Sequence, residues 1–152
     1  MDEAKVLREF HTYKKQIINI LGKDALVGNT IQDTAKKLFG SKFRGVFAQN
    51  EKSLDIKKIG YYIINTDILG KPGTHWVALY ITPKTVYIFD SFGRKSHNLL
   101  PHLVSKAHKQ NKKIIDTDHD RDQSDTSNIC GQLCLAWLMV VKSMGIRGAL
   151  LV

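Results

Sequence analysis

Disulfide chemistry is excluded first, because the 152 residues hold only two cysteines, Cys130 and Cys134. Spaced four apart just ahead of a helical pattern, they are poorly placed to bridge each other. Zinc fares no better: a site built on this pair needs a second pair of Cys or His at ligand spacing, and the chain has none. Prolines number only three, and there is no repeat, low-complexity tract or Pro/Gly-rich linker, so residues 1–152 are read as one domain with residues 1–22 as an element added at its front. No apolar run is long enough to span a bilayer, and the opening Met1-Asp2-Glu3 stands where a signal peptide would carry basic residues and then an apolar block. The expected setting is therefore the cytosol, the nucleus or an assembled particle, neither secreted nor in a membrane. Acidic residues are also scarce, 14 against 23 basic, for a net charge of +9. That excess favours polyanionic company such as DNA, but it is spread along the chain and fits a solvated basic surface equally well.

What is present is a folded composition, 43% hydrophobic and 24% charged. From Asp2 to Leu21 the residues Val6, Phe10, Tyr13, Ile17 and Leu21 recur at helical steps, which predicts an amphipathic helix closed by Gly22. A second helix is expected from Thr30 as N-cap through Ile31, Ala35, Leu38 and Phe39 to Gly40. The period then changes. Tyr61–Asn65, His75–Ile81 and Val86–Asp90 are rich in β-branched and aromatic residues, and the turn Thr82-Pro83-Lys84-Thr85 joins the last two into an antiparallel hairpin. Residues 97–111 read as one helix with Pro101 in its first turn, Lys112–Asp116 as a further strand and Asp118–Asn128 as a polar loop. The apolar stretch Cys130–Met144 reads as a buried helix. The order of elements points to an α+β fold.

Three short segments concentrate chemistry: Gly73-Thr74-His75-Trp76, Asp90-Ser91-Phe92-Gly93, and Gln123 through Cys130-Gly131. A cysteine attacks as thiolate, so it needs a base within hydrogen-bond reach, and a helix N-terminus lowers its pKa further. Cys130 lies where the polar loop gives way to the buried helix. His75 begins one hairpin strand and Asp90 ends the other, so the two are expected as neighbours, with the carboxylate orienting the imidazole that serves as base. Gln123, seven residues before Cys130, offers a side-chain amide to a developing oxyanion. Trp76 is read two ways, as a core residue or as a wall of the cleft that restricts substrate to small residues such as glycine. Cys134 is assigned to core packing, and His11, His97, His102, His108 and His119 to the surface. The aspartates between 116 and 125 are read as a solvated loop, with no metal site, since no EF-hand glycine and terminal Glu accompany them.

The Gly-x-His-Trp segment, the strand-end acid followed by Phe92-Gly93, and the Gln placed seven before Cys130-Gly131 resemble adenovirus protease and its relatives in other DNA viruses and virus-like elements. The likeness runs over roughly residues 28 to 145, because Phe43-Arg44-Gly45-Val46-Phe47 and Ile63-Ile64-Asn65-Thr66 also read like that family's upstream segments. It implies a papain-like fold of the adenain type, with a central mixed or antiparallel sheet flanked by helices and the nucleophile at the start of a buried helix. It further implies a monomeric cysteine endopeptidase that cleaves viral structural precursors, such as capsid proteins, at glycine-containing sites, in the virion or in the host cytoplasm or nucleus. The acid here is Asp90 where the adenovirus enzyme has Glu. No cysteine lies between residues 91 and 129, so the disulfide-linked peptide activator of that enzyme has no counterpart residue, whereas DNA as an activating companion stays compatible with the charge. Two other readings remain: a deconjugating peptidase for ubiquitin-like modifiers, whose clan usually sets the Gln six before the Cys, and a basic nucleic-acid-binding protein whose triad does not function.

Overall fold

The computed structural model describes residues 2–67, 75–117 and 128–152. Helix α1 (Glu3–Leu21) is capped by Asp2, whose side chain accepts the Ala4 N–H at 2.9 Å, and it buries Val6, Phe10 and Ile17 on one face. Helix α2 (Gly28–Phe39) begins two residues before the expected cap Thr30. Its N-cap is Val27, which has no side-chain oxygen to offer, and Ile31, Ala35 and Phe39 form its buried stripe.

A single 3-10 turn leads into β1 (Phe43–Ala48), a strand that the sequence pattern had not marked. It pairs in parallel with β2 (Gly60–Asn65), and the register slips between Phe43 and Gly45. Next, β3 (Trp76–Ile81) is antiparallel to β2 and forms the expected hairpin with β4 (Thr85–Phe89). Strand β5 (Lys113–Asp116) lies parallel to β4, giving a mixed sheet in the order β1-β2-β3-β4-β5.

The single helix expected over 97–111 is instead two, α3 (Ser96–Leu99) and α4 (Pro101–Lys109), divided at Leu100 with φ −131° and ψ 57°. A residue before proline is pushed out of the helical region, and proline itself fits the first helical position, so the chain breaks at that point. Helix α5 (Cys130–Ala149) is interrupted at Gly145, whose φ of 73° ends the apolar run one residue past Met144 before a last helical turn resumes.

Strand alternation sorts the core into two layers. On one face Tyr61, Ile63, Trp76, Ala78 and Phe89 pack under α1, α2 and α5. There the Trp137 ring of α5 stacks on Phe89 at 5.4 Å and Phe10 of α1 meets Phe89 edge-on at 6.2 Å. On the other face Tyr62, Ile64, Val77, Leu79, Ile81, Val86 and Ile88 pack against Leu54, Ile56 and, from α3 and α4, Leu100, Leu103 and Ala107. The sheet is thus covered on both sides, as the unbroken apolarity of its central strands demands. Among the described residues no helix is long and apolar enough to cross a membrane.

Candidate active site

Helix α5 crosses the sheet at the head of β3: the Cys134 thiol donates to the Trp76 carbonyl at 3.3 Å. One turn earlier on the same helix stands Cys130, at the N-terminal end, where the cap residue Ile129 supplies no side-chain acceptor. Packing of the apolar helix therefore delivers Cys130 to the end of β3 that follows His75. Gly131, next along the helix, lets the loop between α1 and α2 pack closely on α5, since a Cβ there would lie 3.2 Å from a methyl of Leu26.

His75 and Asp90 come from the hairpin. The β3–β4 register pairs Ala78 with Phe89, and carried three steps outward it sets His75 opposite Phe92 and diagonal to Asp90. The side chains follow that prescription. His75 Nε2 meets Asp90 Oδ1 at 2.5 Å, and the His75 and Phe92 ring centroids are 5.2 Å apart. With Nε2 committed to Asp90, Nδ1 is the ring nitrogen left to face Cys130, whose sulfur is near enough to raise the imidazole. The structure thus joins three of the four residues singled out in the sequence into one chain of contacts, Cys130 to His75 to Asp90. The fourth, Gln123, belongs to residues 118–127 and lies outside the described residues, as does most of the polar loop.

The electrostatics of the three are mutually arranged. Burial pushes the Cys130 thiol up, but hydrogen bonds from His75 and from the backbone N–H groups of Trp76 and Gly131 outweigh it and bring the thiol below its ordinary 9.0. For His75 burial acts downward, and the bonds to Asp90 and Cys130 outweigh it, so the imidazolium persists above 6.5. Burial raises Asp90, yet its bonds from His75 and Arg94 and the charge of His75 hold it at about 2. A thiol moved down and an imidazole moved up stabilise the same state, a thiolate beside an imidazolium. Cys134 goes the other way: fully buried, it is raised well above 9.0 by burial and by the nearby Cys130 and Asp90 charges.

Trp76 is a core residue here. Its ring packs under the α5 side of the sheet, and its indole N–H donates to the Leu26 carbonyl at 3.1 Å. Its contribution to the thiol comes from the backbone amide, not from the ring. His11, His97, His102 and His108 are exposed, as expected. Among the described residues no group of three or more His, Cys, Asp and Glu could hold a metal ion.

Of the two residues that surround the Asp90–His75 pair, sequence reading named Phe92 only as part of a motif and missed Arg94 altogether. Arg94 donates to Asp90 Oδ2 through Nε at 3.0 Å and through its backbone N–H at 2.9 Å, while the Phe92 N–H reaches Oδ1 at 3.3 Å. The clue available beforehand was a basic residue four after the acid across a Phe-Gly turn. Gly93 closes that turn at φ 68°, with its N–H on the Asp90 carbonyl at 2.9 Å.

No curated protein matches the chain. The model of a peptidase family described as adenovirus endoprotease does match, over residues 39–145, which takes in every strand, α3, α4 and most of α5 and leaves α1 and nearly all of α2 in front. His75, Asp90 and Cys130 fall inside that span. With well over half of its length matched, this chain belongs to the adenovirus endoprotease family of cysteine peptidases.

Proposed function

We propose that the chain is a thiol endopeptidase that cleaves polypeptide precursors at glycine-containing sites, as a maturation protease of a virus or virus-like element, with Cys130 as nucleophile. The observation that carries this reading is the bridge made by one imidazole, Asp90 on its Nε2 and the Cys130 sulfur on its other side. In the resting pair His75 holds the proton and Cys130 the charge. The thiolate attacks the scissile carbonyl carbon, and the oxyanion that forms is held by the Gln123 side-chain amide and by backbone N–H groups at the start of α5. As the C–N bond breaks, the His75 proton passes to the leaving amine. His75 then takes a proton from water, which attacks the thioester, and loss of the new carboxyl product restores thiolate and imidazolium. Asp90 keeps the ring oriented throughout and stabilises its charged form. Trp76 supports the site by fixing the backbone amide that faces the sulfur.

DNA as an activating companion rests on the +9 charge together with the family resemblance, and such binding would weaken steeply with salt. A peptide activator rests on the resemblance alone. The test is cleavage of a panel of peptides with and without glycine around the scissile bond, alongside labelling by ubiquitin-like-modifier vinyl sulfones. Glycine-dependent cleavage that is lost in Cys130→Ala is the expected result. Selective labelling by one modifier would make the protein a deconjugating enzyme, and inert Cys130 beside tight, salt-sensitive DNA binding would reduce it to a nucleic-acid-binding relative.

A further inference from the structure

Asp90 is more heavily engaged than the orientation of one imidazole requires. Its Oδ1 faces His75 Nε2 and the Phe92 N–H, and its Oδ2 receives both the backbone N–H and the Nε of Arg94. The same guanidinium lies over the Phe92 ring, 5.0 Å from its centre, and that ring packs in turn against the imidazole. Arg94 therefore touches the triad along two routes, by hydrogen bond to the acid and by a stack through Phe92 to the base. An ordinary solvated i,i+4 ion pair has one route and little effect.

We propose that Arg94 is a positioning residue of the site: it fixes the far carboxylate oxygen of Asp90 and holds Phe92 against the face of His75. This rests on the peptidase reading above. An Asp carboxylate has one bond fewer than Glu with which to reach the imidazole, so its orientation is set closer to the backbone. The turn holds both oxygens: the Phe92 N–H shares Oδ1 with His75, and Arg94 fixes Oδ2 on the side away from the ring.

The charge pattern gives the role a sign that simple loosening lacks. Along the line of contacts the charges alternate, with a negative sulfur, a positive imidazole, a negative carboxylate and a positive guanidinium. Arg94 opposes part of the pull that Asp90 exerts on the imidazolium. Its removal lets the imidazolium survive to higher pH. Among the described residues, the other titratable groups facing the pair are Cys130 and Cys134 of α5. Of the neighbouring charges, Lys95 is exposed, and the Asp116 carboxylate of β5 is engaged by the Ser96 N–H at 3.3 Å.

The experiment uses the full chain with Arg94→Ala and Arg94→Lys, following peptide cleavage and iodoacetamide inactivation of Cys130 across pH. Arg94→Ala should lower kcat about tenfold with KM within about twofold, and move the alkaline limb up by about half a pH unit. Arg94→Lys, which keeps the charge and loses the planar donor, should return the limb to the wild-type position while restoring kcat only in part. A limb that stays in place in Arg94→Ala overturns the proposal, whether or not kcat falls, because loosening alone lowers amplitude without moving a titration. If Arg94→Ala folds poorly by circular dichroism, Arg94→Gln is put through the same comparison. The alkylation arm separates the two readings. A wild-type Cys130 that reacts with the pH dependence of an ordinary thiol sinks the peptidase assignment itself. A wild-type thiolate at low pH that Arg94→Ala reproduces unchanged sinks the role of Arg94 alone.

Discussion

Cys130 and Cys134 are the same residue on the same helix, one turn apart, and their surroundings set them to opposite tasks. Cys130 is 8% exposed and faces an imidazole and two backbone amides, so its charged form is favoured. Cys134 is 0% exposed, gives its hydrogen to the Trp76 carbonyl and feels the negative charges of Cys130 and Asp90, so its neutral form is favoured. Burial penalises both thiolates, and it wins only where no donors compensate. Reactivity is thus a property of the position one turn nearer the helix N-terminus and of the hairpin end it meets, not of cysteine in an apolar helix.

The sharpest way to break that contrast is to remove each sulfur in turn. Cys130→Ala should lower peptide cleavage by about 10⁴-fold or more, since it removes the proposed nucleophile, with an unchanged circular dichroism spectrum. Cys134→Ser keeps a donor for the Trp76 carbonyl and should retain activity within about threefold, with a stability loss of about 1 kcal/mol in urea unfolding. The reverse pattern would transfer the nucleophile to Cys134.

His75→Ala comes next and is read in two channels. Peptide cleavage should fall by about 10³-fold or more. Independently, the pH at which Cys130 becomes rapidly alkylated should rise toward the ordinary thiol value of 9.0, because the donor and the positive charge that lower it both leave. Cys134 alkylation in the folded protein should stay undetectable by mass spectrometry in either background. An unchanged Cys130 profile would show that the helix start and the Trp76 and Gly131 amides suffice without the imidazole.

Much of this site was legible in the sequence because it depends on local patterns. The hairpin follows from two β-rich runs about a four-residue turn, and His75 and Asp90 then fall at one end by counting. The buried helix follows from continuous apolarity ahead of Gly145. The pieces that escaped depend on contacts far apart in the chain or on backbone detail. Strand β1 carries Gly45 and a register slip, and it is stabilised by parallel pairing to β2 across an intervening loop, none of which gives an alternating signature. The break at Leu100 needed proline to be read as a helix start, where the sequence was also compatible with a first-turn position in one longer helix. The burial of the Trp76 indole rests on a carbonyl fifty residues away, that of Leu26, which no local pattern marks. Arg94 is half out in solvent and acts across a turn, so no periodicity marks it.

Asp90→Asn has a smaller expected effect. An amide keeps the shape, so cleavage should fall by roughly ten- to a hundredfold, with the alkaline limb moved down as the imidazolium loses its counter-charge. The acid limb of stability supplies a second reading. Asp90 is held at about 2 against an ordinary 3.8, so its ionised form stabilises the fold fully above pH 3.8, and that contribution is lost as pH falls through about 2. The amount is about 2 kcal/mol. The asparagine variant should lack this part of the acid-induced loss when urea unfolding is followed between pH 5 and pH 2. His75 contributes with the opposite sign, fully below pH 6.5 and fading as pH rises through its elevated native value, so its share of the pH dependence lies in the alkaline range and does not overlap.

The smallest catalytic effect is expected on the opposite face of the sheet. Leu103 of α4 is wholly buried in the layer that contains Val77, Leu79 and Ile88, while the residues that hold Cys130 in place lie in the other layer. Leu103→Ala should cost about 2–5 kcal/mol of stability through the cavity it leaves, enough to move the urea midpoint clearly. Below that midpoint kcat should stay within about twofold of wild type and both pH limbs should hold, because β3 and β4 keep their register through backbone pairing and the hydrogen bond from His75 to Asp90 is made beyond the strand ends. If kcat falls in step with stability while the protein is still fully folded, the two layers are mechanically coupled through the hairpin, and the geometry around Cys130 depends on the whole sheet and not on the first turn of α5 and its immediate neighbours.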